Sequence, residues 1–216
     1  MLTLFQNFSD QFLAGFGHTL LASAIALIAS FVIGISMAVG QTSHNKLLST
    51  ITTIYIEVFR NIPLLVIVMF FYVVVPLYGI KVTGYQAGII GLSLYTSSFV
   101  ADVVKSGITS IPKGQKEAGF ASGLSQSQVT FHIVLPQAIN LVLPTLGNQI
   151  INLVKNSSIL AMVAGLDIMY QGDLIASQSF NVFSTYIIVG LFYLLITIPL
   201  SLMVKHWENQ QAKMAR

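Results

Sequence analysis

GQKEAGFASGLSQSQVTFHIVLP, residues Gly114 to Pro136, is the longest polar interval in a chain that is otherwise mostly apolar. It reads as two short helices with a break between them. Pro112 can open the first helix, because the N–H it lacks has no partner in a first turn anyway. Gly123 fits the position just past that helix, where a left-handed residue is favoured. Ser125 and Gln128 have the spacing of a capping box, which starts a second helix. Pro136 is expected to close the interval and hand over to an apolar span. A structured helix–break–helix between two spans suggests a docking surface. Periodicity alone allows an ordinary ordered loop equally well.

Composition sets the class. The chain has 216 residues, 55% hydrophobic and 8% charged, with mean hydropathy +0.80. Soluble domains carry about 25% charged residues, so this is an integral membrane protein. The net charge of +3 comes without a basic, aromatic-interleaved patch, so nucleic acid is not an expected partner. Without cysteine there is no disulfide framework, thiolate metal site or thiol nucleophile. No Lys or Arg precedes the first apolar run and no small-residue cleavage site follows, so a cleaved signal peptide is not expected.

A spanning helix needs roughly 20 mostly apolar residues. Five stretches qualify, at about 13–39, 51–75, 85–104, 138–165 and 183–204. The predicted architecture is all-α, with 112–136 as a segment between the third and fourth spans and 167–181 as a polar loop. With the N-terminus outside, Lys46, Lys105, Lys113, Lys116, Lys205, Lys213 and Arg216 face the cytoplasm, against Lys81 outside. The positive-inside rule therefore places the polar interval and the C-terminus in the cytoplasm. Small residues crowd the first span (Ala22, Ser23, Ala26, Ala29, Ser30, Gly34, Ala38) and allow close helix contact. The contact could lie within the chain or against a partner.

Ionisable groups inside spans are functional hypotheses. Glu57 and Arg60, three apart, are expected to pair on one helix face. Asp102 and Lys105 read as an interfacial pair. Pro63 is expected to kink the second span. Lys155-Asn156-Ser157-Ser158 interrupts the fourth span roughly midway. A lysine there cannot easily snorkel out. Its surroundings are then a polar cavity, a carboxylate on another helix or a bound anionic group, and Asn and Ser suit a zwitterionic solute. An interhelical hydrogen-bond cluster is the plainer reading. The scattered His18, His44, His132 and His206 have no metal-ligand spacing. No G-x-x-x-x-G-K-[ST] loop occurs, so the chain is not expected to bind ATP by that motif. A nucleophile elbow, an H-E-x-x-H pair and a Ser/His/Asp set are also missing, so no catalytic residue is assigned. An ion gradient or a separate motor subunit would have to supply the energy.

Glu117-Ala118, Gly123 and Ile133-Val134-Leu135-Pro136 resemble the E-A-A-x3-G-x9-I-x-L-P signature of permease subunits of binding-protein-dependent ABC importers. Gly119 stands in place of the second Ala, and Ser122 in place of the Leu often found before the Gly. Arg60-Asn61-Ile62-Pro63-Leu64-Leu65, Ser110-Ile111-Pro112-Lys113-Gly114-Gln115, Leu146-Gly147-Asn148 and Lys155-Asn156-Ser157-Ser158 are similar to the polar-amino-acid branch. The resemblance covers about Ile54 to Gly165. It implies one transmembrane domain over 1–216 with the type I importer permease fold. It further implies a second permease subunit, the same or homologous, and an extracytoplasmic binding protein. Two ATPase subunits would hold the ATP and Mg, this chain binding no cofactor. Glu117, Ala118, Gly119, Ala121, Gly123 and Leu124 would form the coupling face. Arg60, Lys155, Asn156, Ser157 and Ser158 would contact the solute. Branch members for basic amino acids often place an acid where Asn156 stands, so the implied solute is glutamine or glutamate. The alternative is a secondary transporter or channel subunit driven by an ion gradient.

Overall fold

The computed structural model describes residues 1–214, with side chains through residue 210. Arg216, counted above for topology, lies outside the described residues, as does the side chain of Lys213. The described chain runs α1 (Leu2–Asn7), α2 (Ser9–Gln41), α3 (Lys46–Asn61), α4 (Leu64–Met69), α5 (Gly84–Ser110), α6 (Lys113–Ala121), α7 (Gln126–Gln128), α8 (Leu135–Asn156), α9 (Ile168–Ser179) and α10 (Val182–Met214).

The stripe of small residues on the first span packs within the chain. Thr19, Ala22, Ala26, Ser30, Gly34 and Ala38 are buried along one face of α2. They meet α5, whose buried face includes Gly88, Gly91, Ser97, Val100 and Val104. A Cβ on Gly34 would stand 2.7 Å from the Ser97 carbonyl oxygen, so the two backbones approach as only small residues permit. Hydroxyls along this seam bond backward on their own helix: Ser93 Oγ donates to the Ile89 carbonyl at 2.6 Å and Ser97 Oγ to that of Leu94 at 2.7 Å. That satisfies them in a medium without water.

The second span departs from the single helix over 51–75. Lys46–Asn61 and the stretch Leu64–Tyr78 meet at a bend of 105°. Pro63 clashes with a helical residue before it, which drives Ile62 into extended backbone at φ −93°, ψ 132°. The break is far sharper than a kink. Among the described residues, four other helices are long and apolar enough to cross a membrane: Ser9–Gln41, Gly84–Ser110, Gln126–Val163 and Val182–Gln210.

The fourth of the expected spans also begins earlier than 138. The helix opened at Ser125 does not stop at Pro136; it continues through a π-helical segment, Val129–Val134, into α8. A second π segment, Phe70–Val74, precedes Pro76 by the same two positions. Each proline lacks an N–H and would crowd the carbonyl four residues back. Opening the preceding turn to i→i+5 spacing makes room for the ring; at Pro136 the helix then runs on, whereas after Pro76 it ends at Tyr78.

Two apolar cores hold the ends. At the end where Lys46, Lys105, Lys113, Lys116 and Lys205 gather, here the basic end, Ala38, Ile56, Val100, Val104, Val134 and Leu146 pack together. At the opposite end the core is Leu4, Phe12, Ile168, Ile175, Ile188 and Phe192. The interval 167–181 is correspondingly no loop. Asp167 caps α9 by accepting from the Met169 and Tyr170 N–H groups at 3.1 and 3.4 Å.

Candidate functional site

The basic end carries the polar interval, and its local chemistry is as the residues dictate. Pro112, at φ −56° and ψ 139°, occupies the cap position before α6, not its first turn. Past α6, Gly123 adopts φ +80° with open space around it. Its N–H donates to the Phe120 carbonyl at 2.9 Å, and the Leu124 N–H to that of Gly119 at 3.2 Å. These two bonds define a Schellman ending, which satisfies the last carbonyls and reverses the chain. The Ser125 capping box is complete: the Gln128 N–H donates to Ser125 Oγ at 3.4 Å, and the Ser125 N–H to Gln128 Oε1 at 2.8 Å.

This ending folds α6 back onto the π segment. A Cβ on Gly119 would stand 2.7 Å from Ile133 Cδ1 and 2.9 Å from Val129 Cγ2. Glycine in place of alanine at this position therefore serves close packing inside the chain. Of the six residues expected on the coupling face, Glu117, Ala118, Ala121 and Gly123 are exposed, Leu124 is half-buried and Gly119 is buried. Two residues escaped the sequence reading: Phe120 is 44% exposed and Phe131 55% exposed. Their signal was available, since each is a large apolar residue inside a polar interval. Beside Phe131 the loop after α2 borders an open cleft of about 330 Å³, lined also by Thr42, His44, Gln126 and Ser127.

The five residues expected to contact solute do not form one cluster. Arg60 does not pair with Glu57. Its guanidinium Nη1 lies 3.1 Å from Asp102 Oδ1 on α5 and 5.7 Å from the centre of the Phe99 ring. Glu57 instead accepts from the Asn61 amide, at 3.3 Å. Asp102 is thereby taken from Lys105. α3 already lies against α5 earlier along its length, where Tyr55 Oη and Ser97 Oγ meet at 2.7 Å, a packing that local i, i+3 spacing cannot anticipate.

Lys155 and Asn156 end α8, and Ser157–Val163 tightens into a 3-10 helix. The motif is not midway along its helix, because that helix begins at Gln126; it lies towards the end opposite the coupling segment. Leu153 packs with Leu92 and Ala26, whereas Asp102 lies ten positions further along α5. At 1.5 Å per residue this separates the Arg60 pair from the level of Leu153 by about 15 Å. Lys155 is exposed on the chain surface and Ser157 fully buried. Ser157 Oγ donates to the Val154 carbonyl at 2.7 Å and Ser158 Oγ to that of Lys155 at 2.9 Å. Among the described residues no group of three or more His, Asp or Glu side chains is placed to hold a metal.

Behind this motif, Asp167 is fully buried. The Ile168 N–H donates to Thr19 Oγ1 at 2.9 Å, tying α9 to α2. Burial, the largest influence, lifts the Asp167 carboxyl from its usual range to about 6, against the lowering effect of the capping N–H groups. A Cβ on Gly84 would overlap the Val163 carbonyl oxygen, so the start of α5 abuts the end of the 3-10 turn backbone to backbone.

An all-helical bundle with several membrane-crossing helices, a capped helix–break–helix at its basic end and polar side chains set into its helices is the form of a transport permease. Residues 30–212 match the family described as binding-protein-dependent transport system inner membrane component, and the chain belongs to that family. It is 52% identical over 97% of its length, and 97% of the relative's, to the probable glutamine ABC transporter permease protein GlnM of Bacillus subtilis. It is 31% identical over 95% of its length, and 76% of the relative's, to the glutamate transport system permease protein GluD of Corynebacterium glutamicum. Its fold matches a chain of the crystal structure of an amino acid ABC transporter with histidines, with TM-score 0.84 and 29% identity, covering 94% of this chain and 95% of that one. The chain is thus a multi-pass permease subunit of an ABC transporter.

Proposed function

We propose that this permease carries glutamine or glutamate into the cell, driven by ATP hydrolysis in a separate pair of ATPase subunits. The observation that carries the reading is 52% identity across nearly the whole chain to a permease named for glutamine. The glutamate permease of Corynebacterium supports the acidic neighbour. Nothing supports an ion-driven carrier. In this reading the N-terminus and the α9–α10 turn face outward, and the basic end faces the cytoplasm, as the distribution of lysines favours. A second permease subunit completes the path. A binding protein delivers the solute to the outer end.

The exposed side of α6, with Glu117, Ala118, Ala121 and Gly123, enters a groove of the ATPase. The Schellman ending and the capping box hold it rigid, so motion of the motor passes into α5 and α8 as a body. Lys155, Asn156 and Ser158 contact the solute, the ammonium of Lys155 meeting a carboxylate. Arg60, balanced by Asp102, sets charge along the path below them; a direct clamp on the α-carboxylate would require it to leave that pair. The test is a panel of amino acids offered to the cognate binding protein and then to proteoliposomes of the full complex. Glutamine or glutamate uptake that needs internal ATP and survives an ionophore is expected. Uptake abolished by the ionophore and indifferent to ATP would overturn the reading.

A further inference from the structure

The face of α8 turned away from the bundle is polar. Leu146, Gly147, Leu153 and Val154 are buried on the opposite side, Gly147 against Val204 and Trp207 of α10 and Leu153 against Ala26 and Leu92. Thr145, Asn148, Asn152 and Lys155 are exposed, at steps of three and four that set them on one stripe. From Thr145 to Lys155 the stripe rises about 15 Å. Ala26, at the level of Leu153, lies midway along α2, so the stripe sits at the depth of the hydrocarbon. None of the four side chains has a hydrogen bond or ion pair with any described residue. Elsewhere in the bundle Ser93, Ser97 and Ser157 are satisfied by bonding back on their own helices.

Lipid does not suit this face. Unpaired carboxamides and a charge are costly against hydrocarbon. The outward face of α10 shows the alternative, with Leu191, Leu194, Leu195, Ile198 and Leu202 exposed. A dry contact of the stripe with its own copy does not suit it either. Residues 118–166 contain no Asp or Glu, so Lys155 would be buried there without a counter-charge. We propose that the stripe Thr145, Asn148, Asn152 and Lys155 lines a water-filled solute path, and that its carboxamides and single cation favour neutral and anionic solutes over cationic ones. The inference rests on the importer reading above and deepens it. From Lys155 towards the basic end, Asn152, Asn148 and Thr145 offer successive donors and acceptors to the amide or carboxylate of a passing solute.

The chain has no cysteine, so single cysteines in it report without background. Asn148→Cys, Asn152→Cys and, on the apolar face of α10, Leu195→Cys are assembled into the full complex in proteoliposomes. Each is offered a sulfonate-bearing or a trimethylammonium-bearing methanethiosulfonate on both sides of the bilayer, with and without ATP, and labelling of this chain is read by mass. Both Asn variants are expected to react, and modification is expected to abolish glutamine uptake. Relative to its rate with free cysteine, the sulfonate reagent is expected to be faster by about threefold or more, as a nearby cation dictates. Leu195→Cys is expected to stay unmodified. Refusal of both reagents at both Asn positions, in every condition, would overturn the proposal, because lipid or a dry subunit contact then covers the stripe. So would an equal or faster reaction with the trimethylammonium reagent, or uptake unchanged by full modification. A parent complex that takes up neither glutamine nor glutamate would instead sink the importer reading, and the labelling pattern would still be read.

Discussion

Gly123 and Phe180 both occupy left-handed backbone at the surface, with φ +80° and φ +53°, at opposite ends of the bundle. Around Gly123 there is open space; its turn is specified by glycine alone and by two bonds back to α6. Around Phe180, Ser179, Asn181, Thr185 and the Asp173–Tyr186 bond hold a residue that disfavours the conformation. The first turn is relaxed and leaves a smooth, small-residue surface fit for a groove. The second is strained and leaves a protruding ring. The two turns reach left-handed backbone by opposite means. The comparison extends inward: the basic end keeps its ion pair part-exposed, while the opposite end seals a carboxyl and a backbone contact inside.

The largest expected effect breaks the opposite end. Gly84→Val has no room against the Val163 carbonyl, and overpacking a backbone contact costs about 3 kcal/mol or more. Loss of monodisperse protein in detergent would be the readout. A variant as stable as the parent would show that this end is not locked there.

Next comes Asp167. Because its folded value is raised, to about 6, the neutral form is the one the fold prefers. The stability this contributes is fully present below about pH 4 and is lost as pH rises through 6. Thermal midpoints of the parent should fall between pH 5 and 7.5, by an effect on the order of 2 kcal/mol. Asp167→Asn, which can still cap α9, should flatten that dependence. Equal destabilisation of the variant at every pH would contradict the account.

Gly123→Ala and Phe180→Gly sharpen the comparison directly, since they exchange strain for relaxation. The first should lose about 1 kcal/mol, the penalty of a side chain in left-handed backbone. The second should lose nothing or gain slightly, because relieved strain opposes the greater freedom of glycine in the unfolded chain. Losses of the same sign would mean the two turns are not opposites. Asp102→Asn, which removes a part-exposed partner of Arg60, should likewise shift stability by less than about 1 kcal/mol, read as a thermal midpoint close to the parent's.

Much of this fold was legible where the cause is local. The Ser125–Gln128 box and the left-handed Gly123 lie within a few residues of their partners, and apolar run length located the spans. The Thr83–Gln86 box that opens α5 carried the same signal and went unread. What failed is non-local. The partner of Arg60 lies on another helix, α5, against which α3 packs. The two π segments each precede a proline, but Pro144 and Pro199 sit inside ordinary α-helix, so a proline in the sequence does not announce them. The solute motif is central only to a span that starts at about 138; the helix begins about twelve residues earlier, at Gln126.

The account's central claim is that the segment around Gly123 couples this permease to a motor. Gly123→Asp, assembled with its ATPase and assayed for ATP-driven glutamine uptake in proteoliposomes, tests it most directly. The account predicts a chain that inserts normally into the membrane and transports nothing. Uptake at the parent rate would contradict it.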